Sequence, residues 1–294
     1  MMPSVSSIYE KRFRPLNLLV HIIIYLCASI SILLLAGVVI YVAARGLSSV
    51  TWSFLTTVPS AANHTFGIAG NIVNTLYIII ITLIIAIPFG VGAAVYLSEY
   101  AKPGKVVKLI EFTVETLAGI PSIIFGLFGY VFFGTTLKLG YSILTGSLTL
   151  VLMVLPLITR NTQEALKTVP GSYRSGALGI GATKWYMIRT ILLPSAMPGI
   201  ITGIILSVGR IVGESAALLF TAGSGYFLPK LGEFGEGIFQ KVIQPGGTLT
   251  IQLFLSMENA EYGQAFGIAF VLLVIVFGIN MLTKYLSRRF NVNR

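Results

Sequence analysis

The chain has 294 residues, of which 55% are hydrophobic and only 10% charged, with a formal net charge of +10. A soluble domain carries roughly 25% charged residues, so the composition excludes a water-soluble globule and places the chain in a bilayer. It also excludes nucleic-acid binding, which needs a basic patch on a soluble domain, while the single cysteine, Cys27, excludes an intramolecular disulfide and a cysteine-based metal site.

Apolar runs of membrane length predict six spanning helices, an all-α polytopic membrane protein in contact with lipid. A basic tail, residues 1–15, holds Lys11, Arg12 and Arg14 ahead of the first run at 16–44. That run is about twice the 7–15 residues of a signal-peptide core, so it reads as a retained helix. A Ser/Thr/Asn-rich loop at 45–70, with His64, leads to the second run at 71–97. The turn at 101–105 contains Pro103-Gly104. The third run, 112–133, carries Gly119, Pro121, Gly126 and Gly129. Such residues suit a helix packed inside a bundle and kinked near Pro121. A fourth run at 141–159 ends at a polar segment, 160–194, with amphipathic parts at 161–169 and 173–180. The fifth run is 195–220 and the sixth 265–282. The long loop between them mixes glycines with Phe227, Leu228, Phe234, Ile238 and Phe239. Short helices on the outer surface are expected there, serving either as a connector or as a gate or docking surface.

With the N-terminus inside, 15 of the 20 Lys and Arg residues fall on the cytoplasmic side. Arg45, Lys138, Lys230 and Lys241 fall outside, and Arg210 lies within the fifth run. Both termini are therefore expected in the cytoplasm, and the net charge is mainly a topology signal.

The chain carries no G-x-x-x-x-G-K-[ST] phosphate loop, no H-E-x-x-H and no G-x-S-x-G, and all ten acids are Glu. No catalytic residue, metal ligand or cofactor is expected. If the chain pumps, its energy comes from a partner or an ion gradient. The best site candidate is one face of the fifth run: Gly199, Gly203, Ser207, Arg210 and Glu214, at steps of 4, 4, 3 and 4 residues. Small residues admit a neighbouring helix, and an arginine near mid-span must face a bundle interior or an aqueous cavity. Arg210 suits an oxyanion path, with Glu214 holding it when no substrate is present; a structural ion pair is the alternative. Arg160, at the inner end of the fourth run, is either a positive-inside anchor or an anion exit site.

The spacing Ser175-Gly176-Ala177-x3-Gly181-x9-Ile191-x-Leu193-Pro194 resembles the EAA loop of ABC importer permeases, with Ser175 in place of that motif's Glu. The runs Ala118–Gly126 and Arg210–Ala222, together with Thr248–Gln252 and Ala260–Gly263, are similar to phosphate importer permeases, A-type subunit. The resemblance implies an ABC importer type I permease fold over residues 16–294, with core helices at about 71–286 and a coupling loop at 160–194. It implies an inner-membrane phosphate transport subunit whose partners are a homologous second permease, two cytoplasmic ATPase subunits that bind the ATP, and an extracytoplasmic phosphate-binding protein. In that family the arginines matching Arg210 and Arg160 serve phosphate passage. A permease for molybdate, tungstate or sulfate would share the loop, whereas an ion-gradient-driven carrier would not need it.

Overall fold

Hydrophobic side chains make up 55% of this chain, and a helix is the one open-chain structure that satisfies its own backbone in lipid. A computed structural model describes residues 15–59, 66–228 and 236–290. The tail with Lys11, Arg12 and Arg14, as well as His64, Lys230, Phe234 and Arg294, lies outside the described residues. Among the described residues every regular element is helical.

The first two expected spans form as α1 (Pro15–Gly46) and α3 (Ala69–Val95), with the short α2 (Trp52–Thr56) between them. Helix α3 continues through a π-turn at Tyr96–Tyr100. Helix α1 buries none of its apolar window inside the chain and leaves it to lipid. It rests on the last helix through an edge-to-face contact of Tyr41 with Phe266.

The third expected span is not one kinked helix. It divides into α4 (Lys105–Ala118) and α5 (Ser122–Gly129), the latter extended by a π-segment to Thr136, and the two halves meet at 102°. Gly119 closes α4, and Pro121, which has no N–H to donate, opens α5 in an extended conformation. The run Ala118–Gly126 is thus the sequence of a corner. Helix α4 buries no residue.

The fourth span runs further than expected, as α6 (Ile143–Lys167). Residues 161–167 are not a loop but the last two turns of this helix, because no Gly or Pro interrupts the chain before Pro170. Helix α6 forms the centre of the bundle, packed by α3 on one side and by α9 (Leu193–Gly213) on another. Between α6 and α9 lie α7 (Gly171–Gly179) and α8 (Lys184–Met187). A π-turn, Ile188–Leu192, joins α8 to α9. Pro194 cannot donate to the preceding turn. The register shifts by one there, with Leu193 N bonded to Ile188 O.

The fifth span therefore begins at Lys184 and ends at Gly213, not at Phe220. A separate α10 (Ala216–Thr221) follows, then α11 (Glu236–Val242), α12 (Leu249–Glu258) and the long final α13 (Tyr262–Phe290). These short helices are folded into one end of the bundle. The Asn71 and Asn74 amides both donate to Gly247 O, at 3.0 and 3.1 Å, and Leu249 N donates to Thr75 Oγ1 at 3.0 Å. Helices α3 and α6 both start at this α12 end and finish at the α7 end. Among the described residues there are five membrane-length helices, or six spans if the α4–α5 corner is counted as one.

Candidate functional site

The α7 end is built around a short helix held by two devices. Pro170 starts α7, where its missing N–H costs nothing. Gly181 ends it with φ at +82°. Gly181 N donates to Leu178 O at 3.0 Å and Ala182 N to Ala177 O at 3.1 Å. This is a Schellman closure, which needs a left-handed residue at the glycine. Of the motif residues, Ala177 is buried, while Ser175 and Gly176 face outward, as does Ile180 at 86% exposure. Ser175 bonds back to Gly171 O and Ser172 O. Leu178, Trp185 and Tyr186 are also exposed, large apolar side chains on an otherwise polar segment. The lower motif residues Ile191, Leu193 and Pro194 are half-buried where the chain enters α9.

Sequence reasoning missed the side chain that ties α7 to the bundle. Arg174 donates through Nε and Nη2 to Glu99 Oε1, at 3.0 and 2.7 Å. It also donates to the backbone oxygens of Val169 and Leu166, both at 3.0 Å. The signal available was Glu99 itself, a lone acid at the C-terminal end of a membrane-length run, which needs a partner nearby.

At the other end the chain breaks where a continuous helix was expected. Glu214 is extended, with φ −83° and ψ 123°. Its carboxylate accepts Ala217 N at 3.0 Å and so caps α10. The expected Glu214–Arg210 pair does not form, because the break removes Glu214 from the helical position one turn beyond Arg210. Nor is Arg210 near mid-span: it lies in the last turn of α9, where a cation meets the negative end of the helix dipole. It is half-buried, and among the described residues no ion pair engages its guanidinium. Thr250 locks the break from the far side, donating to Glu214 O at 2.9 Å. The Thr248–Gln252 run is thereby explained: Thr248 caps α12, and Thr250 holds the end of α9.

The small face of α9 does bring helices together. A Cβ added at Gly199 would lie 2.5 Å from Ala165 Cβ, and one at Gly203 would lie 2.6 Å from Asn161 Cβ. Ser207 is fully buried on the same face and donates to Gly203 O at 2.9 Å. Arg210 flanks an exposed stripe formed by Thr202, Leu206, Gly209 and Gly213. Arg160, on α6, is exposed and paired with Glu115 of α4. The two lie in a polar groove of about 160 Å³ with Glu111, Gln163 and Lys167. Because Gly203 packs at Asn161, Arg210 stands about 10 Å further toward the α12 end than Arg160.

Known proteins share this sequence and this fold. The chain is 36% identical over 271 residues to "Probable ABC transporter permease protein YqgI" of Bacillus subtilis, covering 89% of this chain and 92% of that protein. It is 32% identical over 265 residues to "Phosphate transport system permease protein PstA" of Mycobacterium leprae, covering 87% and 83%. Among solved structures, a chain of a bacterial alginate ABC transporter, in complex with alginate pentasaccharide-bound periplasmic protein, superposes with a TM-score of 0.68. That match has 14% identity over 94% of this chain and 96% of that one, a likeness of fold. The pattern described as "binding-protein-dependent transport system inner membrane component" matches residues 86–292, from the C-terminal part of α3 through α13, and the chain belongs to that family of ABC importer permeases.

Proposed function

We propose that this subunit forms half of the translocation pathway of an ATP-driven inorganic phosphate importer. A homologous permease would supply the other half, two ATPase subunits the energy, and an extracytoplasmic binding protein the phosphate. The observation that carries this reading is the Arg210 guanidinium, half-exposed beside the open stripe of α9 and unpaired among the described residues. A planar guanidinium fork fits a phosphate oxygen pair better than a point charge does. A relative named as a phosphate transport permease supports the substrate.

On this reading phosphate passes Arg210 at the α12 end and then reaches the level of Arg160, whose bond to Glu115 it competes for. Ser207, buried with its hydroxyl engaged, acts through packing and not through substrate contact. The α7 end faces the cytoplasm with both termini, and the exposed side chains of Leu178, Ile180 and Trp185 dock on an ATPase subunit. Positive charge concentrated at that end supports the orientation.

The test is uptake of radiolabelled phosphate into proteoliposomes holding the whole complex and ATP. Uptake that phosphate suppresses and sulfate does not is expected. Competition by sulfate, molybdate or tungstate without competition by phosphate overturns the substrate, and uptake without ATPase subunits overturns the coupling.

A further inference from the structure

Helix α7 touches the bundle through very little. Gly171, Gly176, Gly179 and Gly181 have nothing within reach of an added Cβ. Ala177, 4% exposed, sits in a small apolar cluster with Val95, Leu166, Met187 and Ile188. The remaining tether is Arg174. Its side chain is 27% exposed and that of Glu99 only 6%. One guanidinium therefore joins three elements: α7, which carries it; the π-turn that ends α3, through Glu99; and the open end of α6, through the carbonyls of Leu166 and Val169. Those carbonyls lie where a helix lacks partners of its own and where positive charge is favoured. The Glu99 end is also a site of irregular winding, since a π-turn can shift its register at small cost.

We propose that Arg174 and Glu99 form a transmission lock, positioning residues that pass a displacement of α7 to α3 and α6 together. The proposal rests on the reading of α7 as the ATPase-docking helix. A tether of apolar contacts alone would let α7 slide, because apolar packing is not directional. A charged fork with four hydrogen bonds to three fixed acceptors resists both sliding and rotation. The two helices it grips are those that carry Asn161 and Arg160 on one side and the Asn71–Asn74 pair at the far end on the other. A pull on Arg174 therefore reaches the depth of the substrate face without passing through α9.

The experiment compares the wild-type complex with Arg174→Gln, Arg174→Lys, Glu99→Gln and the double Glu99→Gln/Arg174→Gln, each reconstituted with its partners. Phosphate taken up per ATP hydrolysed, and ATPase subunit retained per permease, are measured together. The lock predicts that Arg174→Gln keeps its ATPase subunits and goes on hydrolysing ATP, while uptake per ATP falls about tenfold or more. Arg174→Lys, which keeps the charge but loses the carbonyl contacts, falls between. The double variant is no worse than the worse single, since both remove one link. A wild-type uptake ratio in Arg174→Gln or in the double variant overturns the lock, as does a double loss that multiplies the two single losses. Loss of assembly in Arg174→Gln with an unchanged ratio in Arg174→Lys also overturns it, in favour of a purely structural staple. A wild-type complex that hydrolyses ATP but takes up no phosphate refutes the phosphate reading alone. The lock is then read from the stimulation of ATP hydrolysis by the cognate binding protein.

Discussion

Glu214 accepts the backbone N–H of Ala217 at 3.0 Å while its own carbonyl accepts the Thr250 hydroxyl at 2.9 Å. One residue thus closes the start of α10 and is held by the start of α12. Glu214→Gln keeps an acceptor at the same place and is expected to leave thermal stability in detergent nearly unchanged. Glu214→Ala removes the cap and is expected to cost about 1 kcal/mol. Equal melting shifts for the two would show that the charge, and not the acceptor, matters.

Arg210→Gln leaves the packing face of α9 intact, because Gly199, Gly203 and Ser207 carry it. Complex yield is expected to stay at the wild-type level. Loss of a charge-assisted contact to phosphate is worth about 1.5–3 kcal/mol, so uptake should fall by roughly 10- to 100-fold. Normal uptake in the variant removes Arg210 from the path.

Gly181 holds φ at +82°. An alanine there costs roughly 1–2 kcal/mol in the left-handed region, and relaxation would open the Leu178–Gly181 closure. Gly181→Ala should retain the folded bundle but recover less ATPase subunit on purification. Gly179→Ala, which is helical and has open space beside it, is the control and should recover the wild-type amount.

Gly203→Val puts bulk where α6 and α9 touch, with Asn161 Cβ only 2.6 Å from the new Cβ. Overpacking of this kind costs about 1–3 kcal/mol. A lower melting temperature is expected, and Asn161→Gly, which removes that Cβ, should restore part of it. No restoration would place the strain elsewhere.

Lys241, in α11, is 1% exposed, and among the described residues its Nζ has no hydrogen-bond partner. Burial lowers the pKa of its ammonium from the ordinary 10.5. The unfolded chain then binds more protons than the folded one between the lowered value and 10.5, so stability rises with pH through that window. Melting temperature in detergent should climb from neutral toward alkaline pH. Lys241→Met should flatten that climb and raise the neutral melting temperature, since an unpaired ammonium is costly to bury. A lower neutral melting temperature in Lys241→Met would mean that the ammonium has a counter-charge.

The spans were legible because about 20 consecutive apolar residues have few other uses, and their placement in the bundle bears that out. The motif from Ser175 to Pro194 was legible as spacing, and the closure at Gly181 gives its glycine a physical reason. What the chain did not disclose are the two breaks and the tether. Pro121 announced a bend, but the size of the turn follows from how α5 packs on α10, where Gly126 meets the backbone of Ala217. Gly213 and Ser215 are a weak local signal for a helix break, and they do not say how large the break is. The hydroxyl that holds the break open comes from Thr250, 36 residues on. Arg174 and Glu99 are 75 residues apart, and their meeting is a product of topology.

The corner at Gly119–Pro121 bears on the thickness of the membrane around this subunit. Beyond it, α5 and its π-extension number 15 residues, Ser122–Thr136, or about 22 Å of helix, against a hydrocarbon core of about 30 Å. A wall that short is met by thinning of the bilayer or by association with another protein. The exposed side chains of Ile123, Ile124, Leu127 and Phe128 therefore mark the flank where a neighbouring protein wall, tall enough to cover the mismatch, is favoured over the bilayer itself.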